Sequence, residues 1–355
     1  MVIDGYNLTD PRLELIRDVV RIFPSLPVVV NSDMSVSEFY QSYPDLQGKL
    51  GHVVQSHNTS IQDAFEFFYK GDGSLNVLNT QYYSDGDVLS FFPGSNVINL
   101  NSKTDVPAGR HWRSSIERNL RYAGGNIEFL LDGTPLLGKN IPKGVYEWFK
   151  TNSGKEPLLV ESAWNSSGDL DEIFLMTTDP LNKNSCILFY SDLVAGSDLA
   201  VQGITYFKEN GIWNNIPERT REFLILTSRH DPLLDETQQI IKRDLQTILS
   251  HSSMTNCRAV GVPQVYAESS YNGIPPYAIE AGFKPQMYAL AGNQVNSLVI
   301  QNHIFYLESG SLIQEAAAKS IFEENGFTVH SYSAAGFDGG GGSMHCSTNT
   351  IRGKM

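Results

Sequence analysis

The apolar residues of this chain come in short runs, interleaved from end to end with helical patterns and turn residues. Short strands mixed with helices at irregular spacing indicate an α/β or α+β domain. Asp10-Pro11 supplies an N-cap and a first-turn proline. Leu13, Ile16, Val19, Val20 and Phe23 then recur at helical spacing. Residues 26–30 read as a short buried strand, and residues 127–138 as strand, Asp132-Gly133 turn, strand. Residues 173–177 and 186–190 predict two more strands, and Asp231-Pro232 opens a long amphipathic helix that runs to Leu249. Strands at 298–300 and 304–307 flank Gln301-Asn302-His303, and a helix over 312–324 stops at Asn325-Gly326 before a strand at 327–330. No Gly-rich phosphate fingerprint follows a strand, so the alternation is not that of a dinucleotide-binding fold.

A length of 355 residues suits one large or two ordinary domains. No Pro/Ser-rich linker or shift in composition divides the chain, so a single domain over 1–355 is expected. A formal net charge of -13 argues against a nucleic-acid partner, because phosphate binding wants clustered Lys and Arg. The same charge suits a cationic ligand, and equally suits plain solubility. No apolar run has membrane-spanning length, so no membrane partner is expected. Met1-Val2-Ile3-Asp4 lacks the basic and apolar regions of a secretory leader. Glycosylation sequons at Asn7, Asn58 and Asn165 leave a cytoplasmic and a secreted location both open. Cys186, Cys257 and Cys346 form no disulfide framework, and Cys186 and Cys257 fit small buried hydrophobes.

The chemistry gathers near the C-terminus. Residues 339–342 are all glycine and lead into Ser343-Met344-His345-Cys346-Ser347-Thr348-Asn349. A glycine-rich backbone can approach a ligand closely, and Cys346 sits outside any apolar run, where a nucleophilic thiolate belongs. His345 reads as a structural neighbour rather than a proton carrier, since adjacent residues on a strand face opposite ways.

The run Gly-x-x-His-Cys-x-Thr-Asn resembles the nucleophile motif of the protein-arginine deiminases, members of the guanidine-modifying superfamily. Three further segments resemble that family's motifs, in the family's order. They are Ile61-Gln62-Asp63-Ala64-Phe65-Glu66, Gly125-Asn126-Ile127-Glu128, and Trp164 followed by Gly168-Asp169-Leu170-Asp171-Glu172. The resemblance implies a five-bladed α/β propeller of the pentein kind, with scattered motifs converging at its centre. It implies Cys346 as nucleophile, and Asp63 and Asp171 as the carboxylates that hold the guanidinium. Two carboxylates on a planar cation fix its carbon before a thiolate. The implied reaction is hydrolysis of peptidyl-arginine to citrulline and ammonia through a thiouronium on Cys346.

Trp164, Ser60, Ser167, Thr348 and Asn349 fall at or beside the substrate-binding positions. Ser60 and Ser167 replace the family's aromatic and apolar residues, which makes the pocket more polar. Gln62, Glu66 and Glu128 match a calcium site, and form a hard-oxygen set that suits Ca²⁺. Ala64 stands where a second calcium site wants an acid. Asp169 stands where the family has its catalytic histidine. An aspartate at its ordinary pKa is ionised at neutral pH and has no proton to give. The readings are an inactivating substitution, a natural protein that binds an arginine-containing peptide or small guanidine without turnover, or altered chemistry on a substrate such as agmatine. His57, His111 and His230 are the other histidines that could supply a proton. A thiol protease fits less well, since the residues around Cys346 match no papain-like or caspase-like signature.

Overall fold

The structure, a computed structural model, describes residues 1–4, 10–55, 65–69, 75–79, 96–99, 124–139, 141, 143–165, 169–216, 218–228, 232–268, 287–289, 292–309, 311–334, 344–345 and 348–349. Their secondary structure forms small sheets with one recurring plan. Strands β1 (Val2–Asp4), β2 (Val29–Ser32) and β3 (His52–Gln55) run parallel. They are joined through helices α1 (Asp10–Ile22) and α2 (Val36–Ser42). In each of the next sheets an antiparallel pair is followed by a parallel neighbour. These are β4 (Phe65–Tyr69), β5 (Leu75–Asn79) and β6 (Asn96–Asn99), then β7 (Ile127–Phe129), β8 (Pro135–Gly138) and β9 (Leu158–Val160). The same order holds for β10 (Phe174–Asp179), β11 (Asn182–Asp192) and β12 (Cys257–Pro263). A ribbon of β13 (Tyr266–Glu268) and β14 (Met287–Ala289) intervenes. Strands β15 (Leu298–Ile300), β16 (His303–Leu307) and β17 (Thr328–Tyr332) then repeat the plan. Finally β18 (Thr348–Asn349) pairs antiparallel with β1, Ile3 opposite Thr348, so the last strand completes the first sheet.

Turn and crossover chemistry follow the sequence. Antiparallel pairs close through tight turns, whereas parallel pairs need a crossover. At the β7–β8 turn the Thr134 amide donates to Asp132 Oδ1 at 3.0 Å, and Gly133 takes φ +81°. The crossover from β8 to β9 carries α3 (Lys143–Ser153). That from β11 to β12 carries α4 (Leu193–Glu209), α5 (Glu218–Thr227) and α6 (Pro232–Leu249), and that from β16 to β17 carries α7 (Leu312–Glu324). The α7 helix ends at Asn325 and at Gly326 with φ +86°, the left-handed stop its sequence predicts.

Among the described residues, three cores each join one sheet to another. Leu13, Ile16 and Val19 of α1 are buried with Ile3 and Val30, and with Phe305, Leu307 and Tyr332 of the β15–β17 sheet. Ile241, Leu245 and Ile248 of α6 lie with Leu136, Val160, Phe174 and Leu188 between the third and fourth sheets. Ala318 and Phe322 of α7 pack with Ile187, Phe189, Ile304 and Tyr306. Among the described residues, no helix is long and apolar enough to cross a membrane.

One expectation is corrected. Cys186 and Cys257 are not separate buried thiols. They lie opposite each other on paired strands β11 and β12, with Cα atoms 4.4 Å apart, and are joined as a disulfide. The 71 residues between them hide the pairing, because only the parallel register brings them together. Alkylation of the unfolded, unreduced chain is expected to label one cysteine, and all three after reduction. Three labels before reduction would contradict the pairing.

A second cluster sits where α1 meets the β15–β17 sheet. His303 and His330 stack, with ring centroids 5.2 Å apart and Nδ1 of the first 2.9 Å from Nε2 of the second. Phe305 lies 4.6 Å from the His330 ring and Phe23 packs edge-on to His303 at 5.1 Å. From α1, Asp18 and Arg21 face the cluster, and Asp18 accepts from the Tyr332 hydroxyl at 2.8 Å. Burial lowers the pKa of both histidines, and for His330 the His303 charge lowers it further while Asp18 opposes. Between those lowered values and the usual imidazole value of 6.5, the unfolded chain binds more protons than the folded one. This contribution to stability is therefore intact above that window and lost as pH falls through it. Urea unfolding is expected to shift to lower midpoint from pH about 7.5 to about 5.5. The shift should be smaller in the His303→Phe/His330→Phe variant.

Candidate functional site

Two of the sequence motifs meet at the Gly125 carbonyl. It accepts the Leu170 amide at 2.6 Å and the Asp171 amide at 3.3 Å, which fixes the segment 169–171 against the start of β7. Gly125 is required there, since a Cβ would lie 2.8 Å from the Asp169 Cγ. Asn126, fully buried, accepts from Ser162 Oγ at 3.0 Å, and the space beside it is available only because residue 138 is glycine. The next residue of the segment is held through its own backbone. The Glu172 carbonyl accepts from Ser191 Oγ at 2.8 Å, Asn293 Nδ2 at 2.8 Å and the Tyr266 hydroxyl at 3.2 Å. Its side chain accepts from Asn165 Nδ2 at 2.8 Å. Burial raises the Tyr266 phenol well above its ordinary value, and the charges of Glu172 and Asp171 push the same way. Tyr266 therefore stays a donor to that carbonyl.

Asp171 is 2% exposed. Its Oδ2 accepts Asn296 Nδ2 at 2.6 Å and lies 3.1 Å from His345 Nδ1. The same Asn296 side chain turns its Oδ1 to the His345 amide at 2.9 Å, and the Asn296 carbonyl also meets that amide at 3.2 Å. One fully buried amide thus bridges the carboxylate of the middle motif and the backbone of the C-terminal motif. His345 lies in a turn with Met344, not in a strand, so strand alternation does not govern its direction. Beside its place next to Cys346 in the chain, His345 thus has a contact of its own with Asp171.

The other predicted residues are placed as follows. Asp169 is 8% exposed, packed beside Gly125. Trp164 is buried, its ring 5.7 Å from Tyr266 and its carbonyl accepting the Met287 amide at 2.8 Å. Glu128 is half-buried on β7. The backbones of Glu66 on β4 and of Thr348 and Asn349 on β18 are described. Cys346, Asp63, Ser60, Ser167 and Gln62 lie outside the described residues, as do His57, His111 and His230. Among the described residues, no group of three or more His, Cys, Asp or Glu could hold a metal ion.

Sequence reasoning missed Asn293 and Asn296. The signal was an amide-rich run, Asn293-Gln294-Val295-Asn296, set just before an apolar strand. Buried amides must be satisfied, and these bridge distant segments. Gln294 pairs with Gln264 at 3.0 Å, and Asn293 Oδ1 accepts the Val295 amide at 2.9 Å.

Asn296→Ala removes both side-chain bonds of the bridge, and is expected to cost about 1–3 kcal/mol of stability in urea unfolding. Asn296→Asp costs more, since it sets a second carboxylate against Asp171. An Asp variant as stable as the parent would contradict the bridge.

No family model matches the sequence, and no curated protein matches it. Solved structures do. A candidate arginine deiminase from Porphyromonas gingivalis superposes with a TM-score of 0.57 at 14% identity, over 98% of this chain and 93% of that one. An agmatine deiminase from C. jejuni gives 0.55 at 14% identity, over 99% and 92%. An agmatine deiminase of Enterococcus faecalis gives 0.51 at 11% identity, over 100% and 93%. The chain is therefore similar in fold to solved arginine and agmatine deiminases.

Proposed function

We propose that this chain is a hydrolase acting on the amidine C–N bond of a guanidinium, and that it deiminates peptidyl-arginine to citrulline and ammonia. The observation that carries the reading is the junction at Asp171, where the Gly-Asp-Leu-Asp-Glu motif, the Gly-Asn-Ile-Glu motif and the residue before Cys346 come together. The reading takes the recurring sheets as five blades of one propeller in a single domain, closed by the pairing of β18 with β1. In it Cys346 is the nucleophile, and Asp63 and Asp171 hold the guanidinium edge. Asp171 has committed Oδ2 to Asn296 and His345, so it is a carboxylate already oriented before substrate arrives. Trp164, Ser60, Ser167, Thr348 and Asn349 complete the substrate side.

The thiolate adds to the guanidinium carbon, ammonia departs from the adduct once protonated, and water releases the ureido product from the thiouronium. Agmatine is the second reading of the substrate, favoured by fold neighbours that are themselves agmatine deiminases. Calcium assistance is a separable part of the proposal. Gln62, Glu66 and Glu128 would hold the ion, and their donors are the hard oxygens it prefers. Glu128 lies on the strand that directly follows the Gly125 carbonyl grip. A bound cation there would tie Glu66, three residues from Asp63 in the chain, to Glu128.

Ammonia release from N-benzoyl-arginine amide and from agmatine tests the reading. We expect release from one of them, a higher rate in Asp169→His, and a further rise with added calcium. Affinity for either guanidine with no ammonia from parent or variant would mean a binding protein. Release unchanged by calcium or a chelator, with no calcium-dependent rise in thermal midpoint, would remove the metal from the account.

A further inference from the structure

We infer that His345 carries the proton in this reaction, in place of the motif histidine for which Asp169 is substituted, with Asp171 and Asn296 as its positioning residues. The inference rests on the deimination reading and adds the group that reading lacks. Departure of ammonia needs a proton donor, and residue 169 is an aspartate where the resembled motif has its histidine. His345 has what the step requires. Its side chain is 12% exposed, and Nδ1 lies 3.1 Å from the buried Asp171 carboxylate. Its backbone amide is held by both the side chain and the carbonyl of Asn296. A carboxylate on one ring nitrogen fixes the tautomer and supports the imidazolium, so Nε2 is the nitrogen that exchanges the proton. In the chain His345 directly precedes Cys346, the nucleophile of that reading.

The step balances as follows. The Cys346 thiolate forms a C–S bond to the guanidinium carbon, and the C=N π pair moves to nitrogen, giving a neutral tetrahedral adduct. The His345 imidazolium gives its Nε2 proton to one NH₂ group. The C–N bond breaks with its pair on nitrogen, ammonia leaves, and a neighbouring lone pair forms the thiouronium cation. Neutral His345 then takes a proton from water as the oxygen adds to carbon. The C–S bond breaks with its pair returning to sulfur, and the remaining hydroxyl proton passes to solvent, where ammonia takes it. Guanidinium and water become a ureido group and ammonium, and the thiolate and imidazolium are restored.

A leaving group that departs without protonation isolates this role. The S-methylisothiourea analogue of the same guanidine expels methanethiolate and yields the same thiouronium. In His345→Gln, first-turnover ammonia release from the guanidine is expected to fall about 10²–10⁴-fold. First-turnover methanethiol release from the analogue should fall less than about tenfold. His345→Asn is the second variant, and the thermal midpoint of each shows that it is folded. Ammonia release within about threefold of the parent in both folded variants overturns the proposal alone, as does an equal loss of both products, which marks a structural role. A parent chain that releases neither product overturns the deimination reading and this inference with it.

Discussion

The site depends on one buried carboxylate. Asp171 is almost wholly removed from water, and burying a charge is costly unless it is hydrogen-bonded. Its partners are drawn from the far ends of the sequence. Asn296 is 125 residues away and His345 is 174 residues away. The need to satisfy this group therefore binds the fourth sheet's entry, the segment before β15 and the C-terminal turn into one arrangement. The Gly125 carbonyl fixes the same segment from the other side. Segments from the third and fourth sheets, from before β15 and from the C-terminal turn thereby meet at one carboxylate.

Much of the fold was legible because it rests on local rules. The α1 stripe of Leu13, Ile16 and Val19, the Asp132-Gly133 turn, and the Asn325-Gly326 stop each follow from spacing or from one residue's conformational freedom, and each is where the sequence places it. The strand at 26–30 is shifted to Val29–Ser32, since Pro27 lacks an amide for the ladder and pairing with β1 begins at Val29. Legibility ended where contacts depend on tertiary register. The Cys186–Cys257 bond needs β11 and β12 to be parallel neighbours. The role of Asn296 needs Asp171 within reach, and nothing local to either residue says so.

The candidate site was legible in part for the same reason. The family resemblance singled out Asp169, Asp171 and the Gly125-Asn126 pair, and the structure brings these together. The resemblance did not show the contact of His345 with Asp171, which depends on a turn that brings residues 174 apart together. That contact bears on chemistry. A site with Asp169 where the resembled family has its histidine has an imidazole, that of His345, against the nearby Asp171 carboxylate.

The central claim is that a guanidinium meets Cys346 at this junction, and acid-quenched mass spectrometry during turnover tests it most directly. The account predicts that the peptide containing Cys346 gains the mass of the guanidine less ammonia, and that the adduct decays as ureido product appears. Product formed with no adduct on Cys346, in an experiment able to detect one in the first turnover, would contradict it.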